Sequence, residues 1–262
     1  MSVGEDLHAA PIHAAEFRFY AELNDFLPQA RRQRSFSYRY TGSPSLKDAI
    51  EALGVPHTEV DLILVDGRSA AFDDPVPAGA RVAVYPAFET LDVAGLTRLR
   101  PEPLRVTRFV ADVHLGTLAR YLRLVGFDTV WRNDLGDDEI IAIAAREHRI
   151  ILTRDRGILR DGRVTHGYWL RAVDPREQFE ELVRALDLAR RVRPYTRCLE
   201  CNGLLEPLSR EAAKPLVPAR VHAAHREFVR CGRCGRVYWS GSHRARLDAI
   251  VRSALEAGPA RS

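Results

Sequence analysis

No stretch of this chain holds the roughly twenty consecutive apolar residues that a membrane-spanning helix requires, so helical membrane insertion is excluded as an expectation. The first ten residues carry Glu5 and Asp6 and lack the basic-then-apolar order of a secretory leader; a reducing, cytoplasmic setting is expected. Lysine is scarce. Of 39 cationic side chains only Lys47 and Lys214 are lysines, so arginine abundance alone says little about nucleic-acid binding. Cysteine occurs only four times. With 46% hydrophobic residues in a length of 262, the chain can build two small domains and an appendage, and wholesale disorder is excluded.

The four cysteines fall into two pairs, Cys198-Leu-Glu-Cys201 and Cys231-Gly-Arg-Cys234. Two disulfides or buried free thiols would also use four cysteines. The two-residue gaps are those that bring four thiolates tetrahedrally onto Zn2+, and the expected compartment disfavours disulfides. Gly235 follows the second pair and suits a tight turn. Charge is graded along the chain. Residues 1–93 hold 8 Lys/Arg against 14 Asp/Glu (−6), residues 94–192 hold 18 against 15 (+3), and residues 193–262 hold 13 against 6 (+7). A basic tail is the kind of segment that meets phosphate. The contrast between the ends also leads us to expect that the N-terminal part docks, on a protein partner or on the basic parts of its own chain.

Glu16–Tyr20 and Phe36–Tyr40 alternate as half-buried strands do. Leu46, Ile50 and Leu53 mark one face of a helix that Ser43 would cap ahead of Pro44 and Gly54 would end. Leu62–Val65 and Arg81–Tyr85 read as two further strands. Strand, strand, helix, strand, strand over residues 14–90 is the order of a β-grasp domain and resembles the ubiquitin-like sulfur carriers. Those carriers end in an activated Gly-Gly tail. Here Tyr85-Pro-Ala-Phe-Glu89 runs on into the chain, so a docking module is expected rather than sulfur transfer.

A connector at 91–106 contains Pro101 and Pro103. Beyond it, Phe109–Ala111, Thr129–Trp131, Arg149–Thr153 and Gly167–Arg171 read as strands. Helices lie between them, one with Leu115, Leu118, Ala119 and Leu122 inward, another with Ile140, Ile141 and Ala144 inward, and Asp174 would cap a third. This alternation over 107–192 predicts an α/β fold, a parallel sheet with helices on both faces, and 193–250 would form a zinc ribbon.

In an open parallel sheet the C-terminal strand ends form the functional edge. Asp112 follows the first strand, Asp155 follows the third, and Asp137 opens a helix. Three carboxylates gathered on one rim would repel one another unless Mg2+ or Mn2+ neutralised them, and such an ion can activate water against a phosphodiester. Each aspartate also has a plainer reading as a helix cap or turn residue, and Asp138 competes with Asp137 as a ligand.

Four segments carry a resemblance. They are Phe109-Val-Ala-Asp-Val-His-Leu-Gly-Thr-Leu-Ala-Arg-Tyr-Leu-Arg-Leu-Val-Gly-Phe-Asp128, Arg149-Ile-Ile-Leu-Thr-Arg-Asp-Arg156, Arg197-Cys-Leu-Glu-Cys-Asn-Gly203 and Tyr238-Trp-Ser-Gly-Ser-His243. Together they resemble the Mut7-C family, PIN-like ribonuclease domains with a C-terminal zinc ribbon and, in some members, an N-terminal ubiquitin-like domain. The resemblance implies metal-dependent cleavage of RNA phosphodiesters. It places Mg2+ or Mn2+ on Asp112, Asp137 and Asp155, and Zn2+ on Cys198, Cys201, Cys231 and Cys234. Many PIN nucleases have a fourth acid where this chain has Arg156 and Gly157.

Arg120 and Arg123 on the first helix, Arg154 and Arg156 beside Asp155, and Arg230, Arg233 and Arg236 around the second knuckle are candidate phosphate contacts. Tyr238 and Trp239 are either stacking surfaces for bases or core of the ribbon. Two other classes compete. One is a non-catalytic RNA- or ribosome-binding adaptor on a degenerate PIN-like sheet. The other is phosphoryl transfer through an aspartyl nucleophile, which wants a second acid where His114 stands.

Overall fold

The computed structural model describes residues 11–86, 107–241 and 244–256. The connector at 91–106 and His243 lie outside the described residues. The chain forms two compact units, Met1–Pro103 and Leu104–Ser262.

In the first unit, β1 (Ile12–Phe19) pairs antiparallel with β2 (Phe36–Thr41), and α1 (Leu46–Ala52) follows. β3 (Val60–Val65) and β4 (Arg68–Ala70) make a hairpin, and β5 (Arg81–Pro86) enters the centre parallel to β1, giving the order β2-β1-β5-β3-β4. Alternate residues of β1, namely Ala15, Phe17 and Phe19, are buried, as are Leu46, Ala49 and Ile50 of α1. This is the expected β-grasp arrangement, with two differences. The cap of α1 is Ser45, not Ser43: the Ser45 hydroxyl accepts from the Asp48 amide, and the Asp48 carboxylate accepts from the Ser45 amide. Pro44 and Ser45 are held extended against Pro75 and Val76, which moves the helix start two residues onward. Strand β4 also went unread. Asp66 and Gly67 both adopt left-handed φ, 48° and 82°, and form the two-residue turn that folds it back.

The second unit begins with β6 (Arg108–Ala111), α2 (Gly116–Leu124), β7 (Asp128–Val130), α3 (Asp137–Glu147), β8 (Ile150–Thr153), α4 (Arg156–Leu159), β9 (Gly167–Trp169) and α5 (Pro175–Ala185). The four strands are parallel, in the order β7-β6-β8-β9. Their side chains divide between two cores. Phe109, Ala111 and Leu152 join Leu118 and Leu122 of α2 and Phe179 and Leu182 of α5; Val110 and Ile151 join Ile140 and Ile141 of α3 and Leu159 of α4. Helices thus cover both faces, as a sheet buried on both sides requires. The chain steps from β6 outward to β7 and then returns past β6 to β8. Strand order therefore reverses between β6 and β8, and the loops leaving those two strands diverge to open a crevice.

The remainder forms a ribbon of β10 (Leu205–Leu208), β11 (Phe228–Cys231) and β12 (Val237–Trp239), all antiparallel. Two short helices, α6 (Arg210–Ala213) and α7 (Ala219–Ala224), lie between β10 and β11, and Ala213, Val217 and Phe228 make a small core there. The last helix, α8 (Arg244–Glu256), belongs elsewhere: Ile250, Val251 and Ala254 enter the α2/α5 core of the parallel sheet. No helix among the described residues is long and apolar enough to cross a membrane.

Candidate active site and metal centre

Asp112 stands directly after β6 and Asp155 two residues after β8, so both open on the crevice. The Asp112 side chain makes no cap to the turn that follows it. Its Oδ2 accepts from the hydroxyl of Thr153 at 2.8 Å, and the Asp155 amide donates to that same hydroxyl oxygen at 2.9 Å. Fully buried Thr153 therefore joins the two aspartates. Asp155 also caps α4, its Oδ1 accepting from the Gly157 amide at 2.7 Å. Asp137 occupies the first position of α3 behind a Gly136 N-cap and is exposed, while Asp138 pairs with Arg163 at 2.7 Å. Among the described residues, the four cysteines are the group of three or more Cys, His, Asp or Glu that gathers tightly enough for one ion. Asp112, Asp137 and Asp155 all follow the C-terminal ends of strands but do not close into such a group, and the Asp155 carboxylate is engaged by the α4 amide.

Tryptophans stand behind this rim on both outer strands. The Trp169 indole donates to the Arg154 carbonyl at 3.2 Å, and the Arg156 guanidinium stacks over its ring at 3.9 Å, beside Asp155. The Trp131 indole donates to the Val113 carbonyl at 3.0 Å and covers Gly116, where a Cβ would come within 2.6 Å of the ring. Thr153 and Trp169 were missed by sequence reasoning. The signal for Thr153 is its register opposite Asp112, which follows from the Ala111–Leu152 pairing and is not visible until the strand order is known.

The four cysteines are free thiols, and their sulfur atoms all lie within 4.8 Å of one another. Cys198 and Cys234 are 3.7 Å apart and Cys201 and Cys231 3.4 Å, close to the ~3.8 Å edge of a tetrahedron with the usual Zn–S bond. The donor set therefore fits a zinc ion. Burial pushes the Cys198 thiol up, but hydrogen bonds from Tyr238 and from the Cys201 and Glu200 amides outweigh it and bring its pKa down to about 7, while burial and the neighbouring sulfurs push Cys201 up to about 12. Both knuckles turn through left-handed residues, Asn202 (φ 67°) in the first and Gly235 (φ 74°) in the second. Gly203 has no room for a side chain: a Cβ would lie 2.9 Å from the Cys231 sulfur.

Arg123 requires a correction. It is 2% exposed and cannot reach a nucleic acid. Its guanidinium donates to the carbonyls of Leu199 and Glu200 in the first knuckle at 2.9 and 2.8 Å, and to Thr129 at 3.0 Å, so it fastens α2 and β7 to the ribbon. Arg120 is half exposed, but its Nη2 donates to both oxygens of Glu200. Arg154, Arg230, Arg233 and Arg236 are exposed, and Arg233 donates to the Cys201 carbonyl at 3.3 Å. Replacing Arg123 by Met keeps its bulk but strands those buried carbonyls. Urea denaturation is expected to report a loss of about 3 kcal/mol or more.

The same joint holds a buried ionic cluster. Asp128 accepts from Arg149 and from the Asn202 amide nitrogen, both at 2.7 Å, and Arg197 lies 3.6 Å away. Asn202 accepts in turn from the Thr129 amide at 3.1 Å. Burial pushes the Asp128 carboxyl up, yet the hydrogen bonds and the charges of Arg149 and Arg197 outweigh it, so its pKa lies below the ordinary value. A lowered carboxylate contributes its full stability above the unfolded value of about 3.9 and loses it as pH falls through the folded value. The gap in Tm between wild type and Asp128→Asn is therefore expected to close as pH drops below about 4. Gly126 serves the same junction. Its φ is +98°, and a Cβ there would meet the Arg193 carbonyl at 2.2 Å.

A parallel sheet with helices on both faces, continuous with a four-cysteine ribbon, defines a class of α/β domain with a C-terminal cysteine knuckle. A family model described as the Mut7-C RNAse domain matches residues 107–251, and one described as Mut7-C ubiquitin matches residues 12–92. The chain belongs to the Mut7-C family. No curated protein matches it. Two solved structures of small archaeal modifier protein 1 from Haloferax volcanii are similar to part of it. One is 20% identical and the match covers 29% of this chain and 99% of that one, with a TM-score of 0.24. The other is 19% identical and covers 30% and 99%, also with a TM-score of 0.24.

Proposed function

We propose that this chain is a metal-dependent ribonuclease in which Asp112, Asp155 and Asp137 hold Mg2+ or Mn2+ at the crevice between β6 and β8. The observation that carries the reading is the Asp112–Thr153–Asp155 tether at the point where strand order reverses. Asp112 and Asp155 offer hard oxygen donors there. Thr153 fixes the direction of one carboxylate and the backbone of the other. Arg154, exposed beside Asp155, and Arg156, stacked on Trp169, would meet phosphate oxygens. An ion held by these residues would supply an activated water and would neutralise charge building on the phosphoryl group. Zn2+ on Cys198, Cys201, Cys231 and Cys234 is structural, and Arg230, Arg233 and Arg236 extend the basic surface for RNA. The ubiquitin-like unit is a docking module, and the setting is cytoplasmic.

The second reading is an RNA- or ribosome-binding adaptor. It is favoured by Arg156 and Gly157 in place of a further acid, and by rim carboxylates that do not close into an ion-sized group among the described residues. One experiment separates the two. Wild-type protein and Asp112→Asn are incubated with single-stranded RNA and Mn2+; cleavage by wild type alone supports the nuclease, and binding without cleavage by either supports the adaptor.

A further inference from the structure

One opening in the second unit lies away from the carboxylate rim. A cleft of about 670 Å3 lies between the ribbon sheet and α8. That volume is in the range of small-ligand sites. Its floor is apolar, with Leu199, Leu205, Val229 and Leu247 among its lining residues. In the ribbon, Val229 pairs directly with Tyr238, and both line the cleft. The Tyr238 hydroxyl lies 3.0 Å from the Cys198 sulfur, so its ring is fixed by the knuckle. On the opposite side stand Tyr195, ahead of the ribbon, and Arg244 of α8, whose guanidinium covers the Tyr195 ring at 3.9 Å and bonds Asp248 at 2.9 Å. Trp239 lines the same cleft and stays 38% exposed, large for an indole in a domain with so little core of its own. Arg236 lines it too and is exposed, as is the carboxylate-bearing Glu227.

We propose that this cleft receives one unstacked base of a single-stranded RNA. Aromatic walls over an apolar floor offer stacking that any base accepts, and basic residues at the lip meet the adjoining phosphates. The +7 balance of residues 193–262 supplies the attraction for that backbone. A duplex cannot enter, because its bases are stacked and paired; recognition of unpaired bases is how proteins reach base edges in RNA. Glu227 adds selectivity. A carboxylate accepts but cannot donate, so it favours the two-hydrogen amino group of cytosine over uracil, whose single N3–H is flanked by two carbonyl oxygens that repel the carboxylate. The proposal deepens the ribonuclease reading by naming single-stranded RNA as its substrate class, and it rests on that reading only for the cleavage step.

The test measures binding apart from cleavage. Full-length, zinc-loaded Asp112→Asn protein is titrated with fluorescein-labelled eight-nucleotide oligo(C), oligo(U) and a blunt RNA duplex, followed by anisotropy. Oligo(C) is expected to bind more tightly than oligo(U), and the duplex more weakly than either. Trp239→Ala in the same background is expected to weaken oligo(C) by about tenfold, and Glu227→Gln to erase the preference for oligo(C) over oligo(U). Both sites are at the surface, and zinc content and Tm measured alongside confirm that each variant is folded. Equal affinity of Trp239→Ala and its parent for oligo(C) overturns the proposal, as does a duplex that binds as well as the single strands. The nuclease reading is judged separately, by loss of cleavage in Asp112→Asn, and survives either failure.

Discussion

Asp112→Asn is expected to lower Mn2+-dependent cleavage of single-stranded RNA by about a thousandfold, the equivalent of the several kcal/mol that a correctly held ion contributes to a transition state. The substitution keeps the shape of the side chain and lets its amide oxygen still accept from Thr153. Folding is therefore expected to be preserved, with Tm near that of wild type, while the charge that holds the cation is gone. Thr153→Val makes a complementary case. It keeps both carboxylates and removes the hydroxyl that holds the Asp112 carboxylate and the Asp155 amide, so its loss is expected to be smaller, about ten- to a hundredfold, and accompanied by a higher Mn2+ requirement. A wild-type preparation whose cleavage is matched by Asp112→Asn would owe that activity to a contaminant, and the nuclease assignment would fail.

Withdrawal of zinc is expected to have the second largest effect. Structural zinc contributes apparent folding free energy on the order of 10 kcal/mol in small zinc modules, more than this ribbon's core of Ala213, Val217 and Phe228 can replace. Cys201→Ser, or chelation of the wild type, should release one equivalent of zinc and abolish hydrogen-exchange protection at the Cys198, Asn202, Cys231 and Gly235 amides, each of which is hydrogen-bonded within the knuckles. The disturbance should not stop there. The carbonyls of Leu199 and Glu200 are the acceptors for Arg123, so α2 and β7 should lose protection with the ribbon. Zinc release that leaves protection of both regions intact would falsify a structural role for the metal.

The parts of the molecule readable from sequence were those specified locally. Alternation along β1 and β2, helical spacing in α2 and α3, and paired cysteines each announce themselves within a dozen residues. What escaped depends on partners distant in the chain. Arg123 lies off the apolar stripe of Leu118 and Leu122 and reads as a solvated position; it is buried because a knuckle some 76 residues later closes over it. Thr153 looks like the end of an ordinary strand until its neighbour in the sheet is known. Ser45 outcompetes Ser43 as a cap only because Pro75 pins the segment before it. Asp112 and Asp155 stand out in the sequence because they follow strands, whereas the cleft beside Trp239, a residue the sequence offered as stacking surface or core, exists only once α8 packs beside the ribbon.

The destination of α8 bears on how the polypeptide is made. Ile250, Val251 and Ala254 complete a hydrophobic layer whose other members, from Phe109 to Val192, are synthesised long before them. A nascent chain leaving the ribosome therefore carries an open apolar flank on its parallel sheet until the ribbon has been translated and α8 has emerged to seal it.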